Sequence, residues 1–339
     1  MFPHHHQTEK SESPSLQPVR VLCAANANYA VPLCVMLVSL VDNLAKNRGL
    51  EIFILARDFP KEKRQDVERS ICAIRPDFEL KDLHWIAPGL TLPEGLHLDG
   101  HLTVDTCSRL LAPEVLPEDC DRVLYLDSDM VVRADVSELF DLPNEETAIH
   151  AAPDIGVPFV SEPKGVFNYA ELGIPGTQRY FNTGVMLINL RLWRETRISE
   201  RVFDYLCRHG ASVHFMDQGA LNALLYDSWT EIDLEWNQSW GIIFPEKCAR
   251  MGLSKAKWRS ALAKPKIVHY TGAEKPWLGL GNILPVPRFC YFFTYLEKTV
   301  YRGTIKAPRQ VELMMGATLY FVLWTKIRPL LLRLIGRLS

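Results

Sequence analysis

The sequence predicts an α/β domain built on a central, mainly parallel sheet, and three observations carry that reading. Short apolar runs alternate with stretches of helical spacing through the N-terminal part of the chain, as β-α-β units require. A further apolar run, Val123 to Leu126, breaks off at Asp127-Ser128-Asp129, the kind of strand end beyond which open α/β sheets hold their ligands. The chain's 339 residues are enough to bury a large core, and one catalytic domain with a tail accounts for them.

The elements follow in order. Met1 to Gln17 is polar, with no apolar stretch of the kind found in a signal peptide or anchor, so residues 1–18 read as a disordered tail that includes His4, His5 and His6. Arg20 to Ala25 is a short apolar strand. Tyr29 to Leu44 has helical spacing, with Val31, Val35, Val38 and Val41 recurring every three or four residues. Glu51 to Ala56 reads as the next strand. Pro60 to Ile74 is an amphipathic helix opened by a proline, whose missing N–H is harmless at a helix start, and His84 to Ile86 is a brief third strand.

Pro153 to Gln178 holds Pro153, Gly156, Pro158, Pro163, Gly165, Gly173, Pro175 and Gly176. That many breakers predict a long loop, which in a compact domain commonly serves as a lid or substrate wall. Phe181 to Asn189 re-enters the sheet, and helices are expected around Ile198 to Cys207 and Gln218 to Leu225. The catalytic domain is thus placed at residues 19–300.

Residues 301–339 read as a separate tail. Leu313 to Trp324 is apolar but bracketed by Glu312, Lys326 and Arg328, short of the roughly 20 residues that span a bilayer. Beyond Pro329, leucines and Ile335 mix with Arg333 and Arg337, a composition suited to a helix lying on an anionic membrane surface. Packing of that helix on the domain or on a second subunit is the alternative.

Formal charge is −2 with both signs mixed, which excludes a nucleic-acid footprint. Eight cysteines are scattered with no CxxC pair, so reduced, packed thiols in a cytosolic setting are expected rather than a disulfide framework or zinc knuckle. The expected location is cytoplasmic, peripheral on the inner face of the cell membrane.

Strand side chains alternate faces, so Asp127 and Asp129 point the same way and Ser128 the other. Two hard anionic ligands converging at a strand end suit Mg²⁺ or Mn²⁺. A surface turn is the plain alternative.

Four more clusters stand with this pair: Asn26-Ala-Asn28-Tyr29, Phe181-Asn182-Thr183-Gly184, Met216-Asp217-Gln218, and His269-Tyr-Thr-Gly272-Ala-Glu-Lys275-Pro276-Trp277. Together and in this order, from about Arg20 to Trp277, they resemble the family 8 glycosyltransferases, which have a GT-A, Rossmann-like nucleotide-sugar fold. The likeness is nearest to bacterial members that extend lipopolysaccharide with galactose or glucose. It implies that Asp127, Asp129 and His269 hold Mn²⁺, or Mg²⁺, on the diphosphate of UDP-galactose or UDP-glucose. It also implies that Gly272 and Lys275 bind phosphate, and that Asn28 and Tyr29 hold ribose and uracil. Asn26 departs from the Asp common there, exchanging a charge for an amide.

By the same resemblance Arg109, Asp154, Asn182, Asp217 and Gln218 recognise the sugar. An N-cap role would explain Asp217 without a substrate. Family members retain the anomeric configuration. Gln218, at the position of a would-be nucleophile, is uncharged and a poor one; same-face substitution is therefore preferred, with Asp217 the fallback nucleophile. The acceptor implied is a membrane-linked glycan.

Two other readings compete. Leu126-Asp127-Ser128-Asp129-Met130-Val131 also resembles the nucleophile motif of haloacid dehalogenase-like phosphatases. A non-catalytic, membrane-attached sugar-binding protein on the same fold is the third.

Overall fold

The computed structural model describes residues 17–87, 107–272, 275–278 and 288–306. The histidines of the N-terminal tail and nearly all of the proposed membrane-associating tail therefore lie outside the described residues. The chain opens with β1 (Val19–Ala24), α1 (Ala30–Asn43), β2 (Leu50–Leu55), α2 (Lys61–Ile74) and β3 (Leu83–Ile86), within a residue or two of the expected boundaries. β1 pairs parallel with β2, and β2 with β3.

β4 (Arg122–Leu126) adds to the other side of β1, also parallel. Next come β5 (Met130–Val132), β6 (Ile149–Pro153), β7 (Phe181–Asn189), β8 (Trp229–Glu231) and β9 (Ile267–His269). The seven-stranded sheet runs β3-β2-β1-β4-β7-β6-β8. Only β7 opposes its neighbours β4 and β6, so the sheet is mainly parallel. The remaining helices of some length are α3 (Ile198–His209), α4 (Asp217–Leu224), α5 (Lys255–Ala263) and α6 (Phe289–Leu296).

Period-two burial sets the two faces of the sheet. Val19, Val21, Cys23, Leu124 and Leu126 join one core, with Leu22, Val123 and Tyr125 in the other. α1 is buried nearly all round, because it lies against β5 while also touching α2 and α6. Its unbroken apolar sequence accounts for that. α2 buries only Val67, Ser70 and Ile71 and keeps its charges in water.

The breaker-rich stretch after β6 is ordered by its own packing. Val157, Val160, Val166 and Ile174 are buried in the second core, and Phe159 bridges to Arg179. Pro153 is the last residue of β6 rather than the first of the loop. All eight cysteines are unpaired. No helix among the described residues is long and apolar enough to cross a membrane.

β5 and β9 form a separate two-stranded antiparallel ladder. Three residues carry little periodic pattern, and neither strand is legible in the sequence. α1 secures the free edge of β5 with two polar side chains one turn apart. The Ser39 hydroxyl accepts from Val132 N–H at 2.8 Å while donating to Met36 O at 2.7 Å. Asn43 donates to Val132 O at 3.2 Å and to the Tyr295 hydroxyl at 2.6 Å. Substituting Ser39→Ala leaves the buried Val132 N–H without its partner. The expected loss is about 1–3 kcal/mol of stability, read as a lower denaturant midpoint at unchanged slope.

Candidate active site

The site grows from the end of β4. Asp127, the next residue, is tied by its N–H to Gly184 O on β7 at 2.9 Å. Ser128 turns the other way and donates to Ala24 O at the end of β1, as strand alternation requires. Asp129 directly precedes β5. Across the ladder Met130 pairs with His269, and Tyr270 N–H donates to Asp129 O at 3.0 Å. The register therefore carries the imidazole to the carboxylates, with His269 Nε2 3.2 Å from Asp129 Oδ1 and 3.5 Å from Asp127 Oδ2.

One ligand atom from each of the three residues lies within 4.8 Å of the others. His269 is buried, and both carboxylates are half-buried. Gly184 completes the cradle, since a Cβ there would lie 2.3 Å from His269 Cε1 and 2.8 Å from Asp127 Oδ2. Two carboxylates and an imidazole held within reach of one another are a donor set that fits a divalent cation.

The surrounding charges hold the acids in place. Burial opposes ionisation of Asp129, but His269 and Lys275 outweigh it and keep the carboxyl well below its usual range. Lys275 Nζ stands 2.5 Å from Asp129 Oδ2 and from Tyr270 O. Asp127 accepts from Tyr125 OH at 2.9 Å and from Arg109 at 3.2 Å. Arg109 also lies 2.8 Å from Asp217 and donates to Thr183 O at 2.5 Å, its guanidinium 4.6 Å from the centre of the Tyr125 ring. It is buried between two acids. Three of its nitrogens are thus engaged by protein, which leaves it fewer donors for a sugar hydroxyl than the sequence suggested.

Asp217 is not an N-cap. Met216 occupies that position and Asp217 is the first residue of α4. Phe215 and Met216 both have positive φ, 59° and 48°, an uncommon conformation for non-glycine residues that clusters at functional sites. Gly219 makes room, because a Cβ there would meet His214 O at 2.3 Å. The result presents Asp217 to Arg109 and Gln218 to β7. Burial pushes the Asp217 carboxyl up to about 6, against the pull of Arg109.

A net of amides adjoins the metal cradle. Asp154 Oδ2 accepts from Asn182 at 3.0 Å and from Gln218 at 3.2 Å. Gln218 Oε1 accepts from Thr183 N–H at 3.2 Å. Asn182 Oδ1 lies 2.8 Å from the Asn237 amide, which reaches His269 Nδ1 at 2.9 Å. Asn237 was missed in the sequence; its only signal is a polar pair, Asn237-Gln238, directly after the buried Trp236.

The N-terminal cluster meets the C-terminal one. Asn26 accepts from Asn28 N–H at 3.0 Å, a capping role that an amide oxygen fills as well as a carboxylate. Tyr29 packs edge-on to Trp277 at 5.8 Å, and Lys275 Nζ lies 5.6 Å from the same indole. Asn28 is exposed. Gly272 has φ 88°, a left-handed conformation that favours glycine.

With this geometry in view, the comparisons decide the family. The sequence profile of glycosyl transferase family 8 matches residues 20–281. The chain belongs to glycosyl transferase family 8. General stress protein A of Bacillus subtilis is 27% identical over 262 residues, covering 76% of this chain and 87% of that protein. Lipopolysaccharide 1,3-galactosyltransferase of Salmonella typhimurium is 29% identical over 182 residues, 53% of this chain and 51% of that one. The chain spans about half the length of several of its curated relatives.

Among solved structures, galactosyltransferase LgtC in complex with donor and acceptor sugar analogs aligns with a TM-score of 0.67 at 23% identity. The alignment covers 87% of this chain and 99% of that one. The fold is GT-A, and the family 8 chain is a glycosyltransferase. That sets aside the phosphatase reading of Asp127.

Two predictions follow from the geometry. If the three residues hold a divalent cation, Gly184→Ala should lose affinity for it by about 10- to 100-fold, as crowding of ligands and their supports does elsewhere; unchanged affinity in a metal titration would contradict the cradle. Because the folded Asp217 carboxyl titrates above its unfolded value, its protonated form favours folding at low pH, and that contribution is lost as pH rises from about 4 through about 6. The stability of Asp217→Asn relative to the parent should therefore rise between pH 4 and pH 7 in paired thermal melts. A relative fall across that window would mean that Arg109 outweighs burial.

Proposed function

We propose that this protein is a metal-dependent, retaining hexosyltransferase that moves galactose or glucose from a UDP-sugar to a glycan at the membrane, in cell-envelope polysaccharide synthesis. One observation carries the reading. In a family 8 chain, Asp127 and Asp129 meet His269, about 140 residues further along the polypeptide, within 4.8 Å. Mn²⁺ is the preferred ion because an imidazole joins the carboxylates, with Mg²⁺ second. When bound, such an ion supplies charge neutralisation to a departing diphosphate.

The chain's own residues divide the remaining work. Tyr29, packed on Trp277, offers an aromatic face for uracil, with Asn28 and the Asn26 turn beside it for ribose. Lys275 adds a point charge for phosphate, and the left-handed backbone at Gly272 admits close approach of an anion. Asp154, Asn182 and Gln218 offer a connected set of donors and acceptors to sugar hydroxyls, with Arg109 bracing Asp127 behind them. Epimer choice needs such buried polar partners, because a misplaced hydroxyl leaves one of them unpaired.

Retention is best served without a covalent intermediate. Gln218 carries no charge and its oxygen already accepts from Thr183 N–H. The Asp217 carboxylate is 2% exposed and paired with Arg109, which supports a positioning role over nucleophilic attack. We therefore favour attack on the face from which UDP leaves, the leaving phosphate accepting the acceptor's proton. The basic, leucine-rich segment after Pro329 would hold the enzyme at the cytoplasmic membrane surface where lipid-linked acceptors lie. Relatives that act on lipopolysaccharide support that setting.

The test is UDP release from UDP-galactose and UDP-glucose, with and without Mn²⁺. Release from one donor should depend on the ion and fall at least about a hundredfold in His269→Ala and Asp129→Asn. Turnover that survives chelation, or nucleotide binding with no turnover of any donor, would count against the proposal, the latter favouring the sugar-binding reading.

A further inference from the structure

The amide net behind His269 has only one self-consistent arrangement of donors and acceptors. The Gly184 N–H can only donate, and it lies 3.0 Å from Asn182 Oδ1, so that terminal atom is oxygen. A second, independent contact agrees: the other terminal atom of Asn182 faces Asp154 Oδ2 at 3.0 Å and must be the amide nitrogen. Asp154 is itself held by Gly156 N–H at 2.7 Å and Val157 N–H at 3.2 Å, both on its other oxygen.

With Asn182 fixed, Asn237 follows. The atom 2.8 Å from Asn182 Oδ1 has to donate and is the amide nitrogen. The carbonyl oxygen of Asn237 is then the atom 2.9 Å from His269 Nδ1. A carbonyl only accepts, so Nδ1 carries the proton. In the neutral ring the lone pair is left on Nε2, the nitrogen facing both carboxylates at 3.2 and 3.5 Å, where a cation, or a second proton on the ring, has to stand between these acceptors.

We propose that Asn237 is a positioning residue that fixes the tautomer of His269, with a backbone N–H two amides away setting the direction of the relay. The inference rests on the reading of His269 as a metal ligand and deepens it. The opposite tautomer would place two lone pairs against each other between Nδ1 and Asn237. Turning Asn237 over to relieve them would break its bond to Asn182, and turning Asn182 in its wake would break the bond to Gly184. Asn237 and His269 are 4% and 5% exposed, so water does not replace the lost partners. The relay joins the metal cradle, through Asn182, to the polar residues assigned to the sugar, and outer partners of this kind commonly orient a ligating histidine.

Nitrogen-15 labelling of histidine tests the relay directly, with His269 assigned by its absence in His269→Gln. In the parent protein without added metal, the neutral ring should carry its proton on Nδ1 and leave Nε2 bare. Nδ1 as the bare nitrogen of the neutral ring would overturn the proposal. Asn237→Ala should lose this preference and bind Mn²⁺ about 10- to 100-fold more weakly. Asn237→Asp keeps an acceptor toward Nδ1 but gives up the donor to Asn182 Oδ1, so it should restore the Nδ1-protonated tautomer without the full Mn²⁺ affinity. An alanine variant with the parental tautomer would refute the role of Asn237. Should the parent bind no Mn²⁺, the metal reading fails, and the nitrogen assignments still decide the relay.

Discussion

The antiparallel pairing that sets His269 opposite Met130 is the constraint on which the rest of the site depends. Asp127 and Asp129 belong to the end of a central strand, and the histidine arrives near the close of the domain. A slip of one residue would turn every side chain of β9 to its other face. It would send the imidazole into the aromatic cluster where Val268 and Tyr270 now pack with Phe289 and Phe292. That cluster makes the slip costly, and Ser39 and Asn43 of α1 hold the opposite edge of β5. The core thus specifies the ligand geometry.

Two carboxylates held this close repel each other, and the fold answers with cations on several sides. Arg109 lies behind Asp127, and Lys275 stands against Asp129. Half-burial strengthens both attraction and repulsion, so the arrangement is stable only while each charge has a partner. Arg109 serves a second acid, Asp217, and so connects the cradle with the strained entry to α4. The glycines at 184 and 219 act by what they lack: each yields to a neighbour the volume that a methyl group would take.

The sequence made the framework legible because long periodic segments report their own burial. β1, α1, β2, α2 and β7 lie within a residue or two of expectation, and Asp127, Asp129 and His269 are brought together as the motif resemblance implied. The short strands β5, β6, β8 and β9 were not legible: three to five residues carry little pattern, and among strands of that length only β3 and β4 stood out. Roles set by tertiary contact were hidden as well. Nothing in the residue type of Arg109 says that it donates to Asp127 and Thr183 while pairing with Asp217, and nothing around Asn237 says that it touches His269. The capping use of Asn26 shows why its departure from a carboxylate is tolerable, because the turn asks only for an acceptor.

The central claim is that one divalent ion is gripped jointly by the acidic pair and the imidazole. Anomalous diffraction from crystals grown with Mn²⁺ and UDP tests it most directly. The account predicts a single strong peak within coordination distance of Asp127, Asp129 and His269 Nε2, beside the diphosphate. A peak that leaves His269 outside its coordination shell, or manganese bound only elsewhere on the protein, would contradict it.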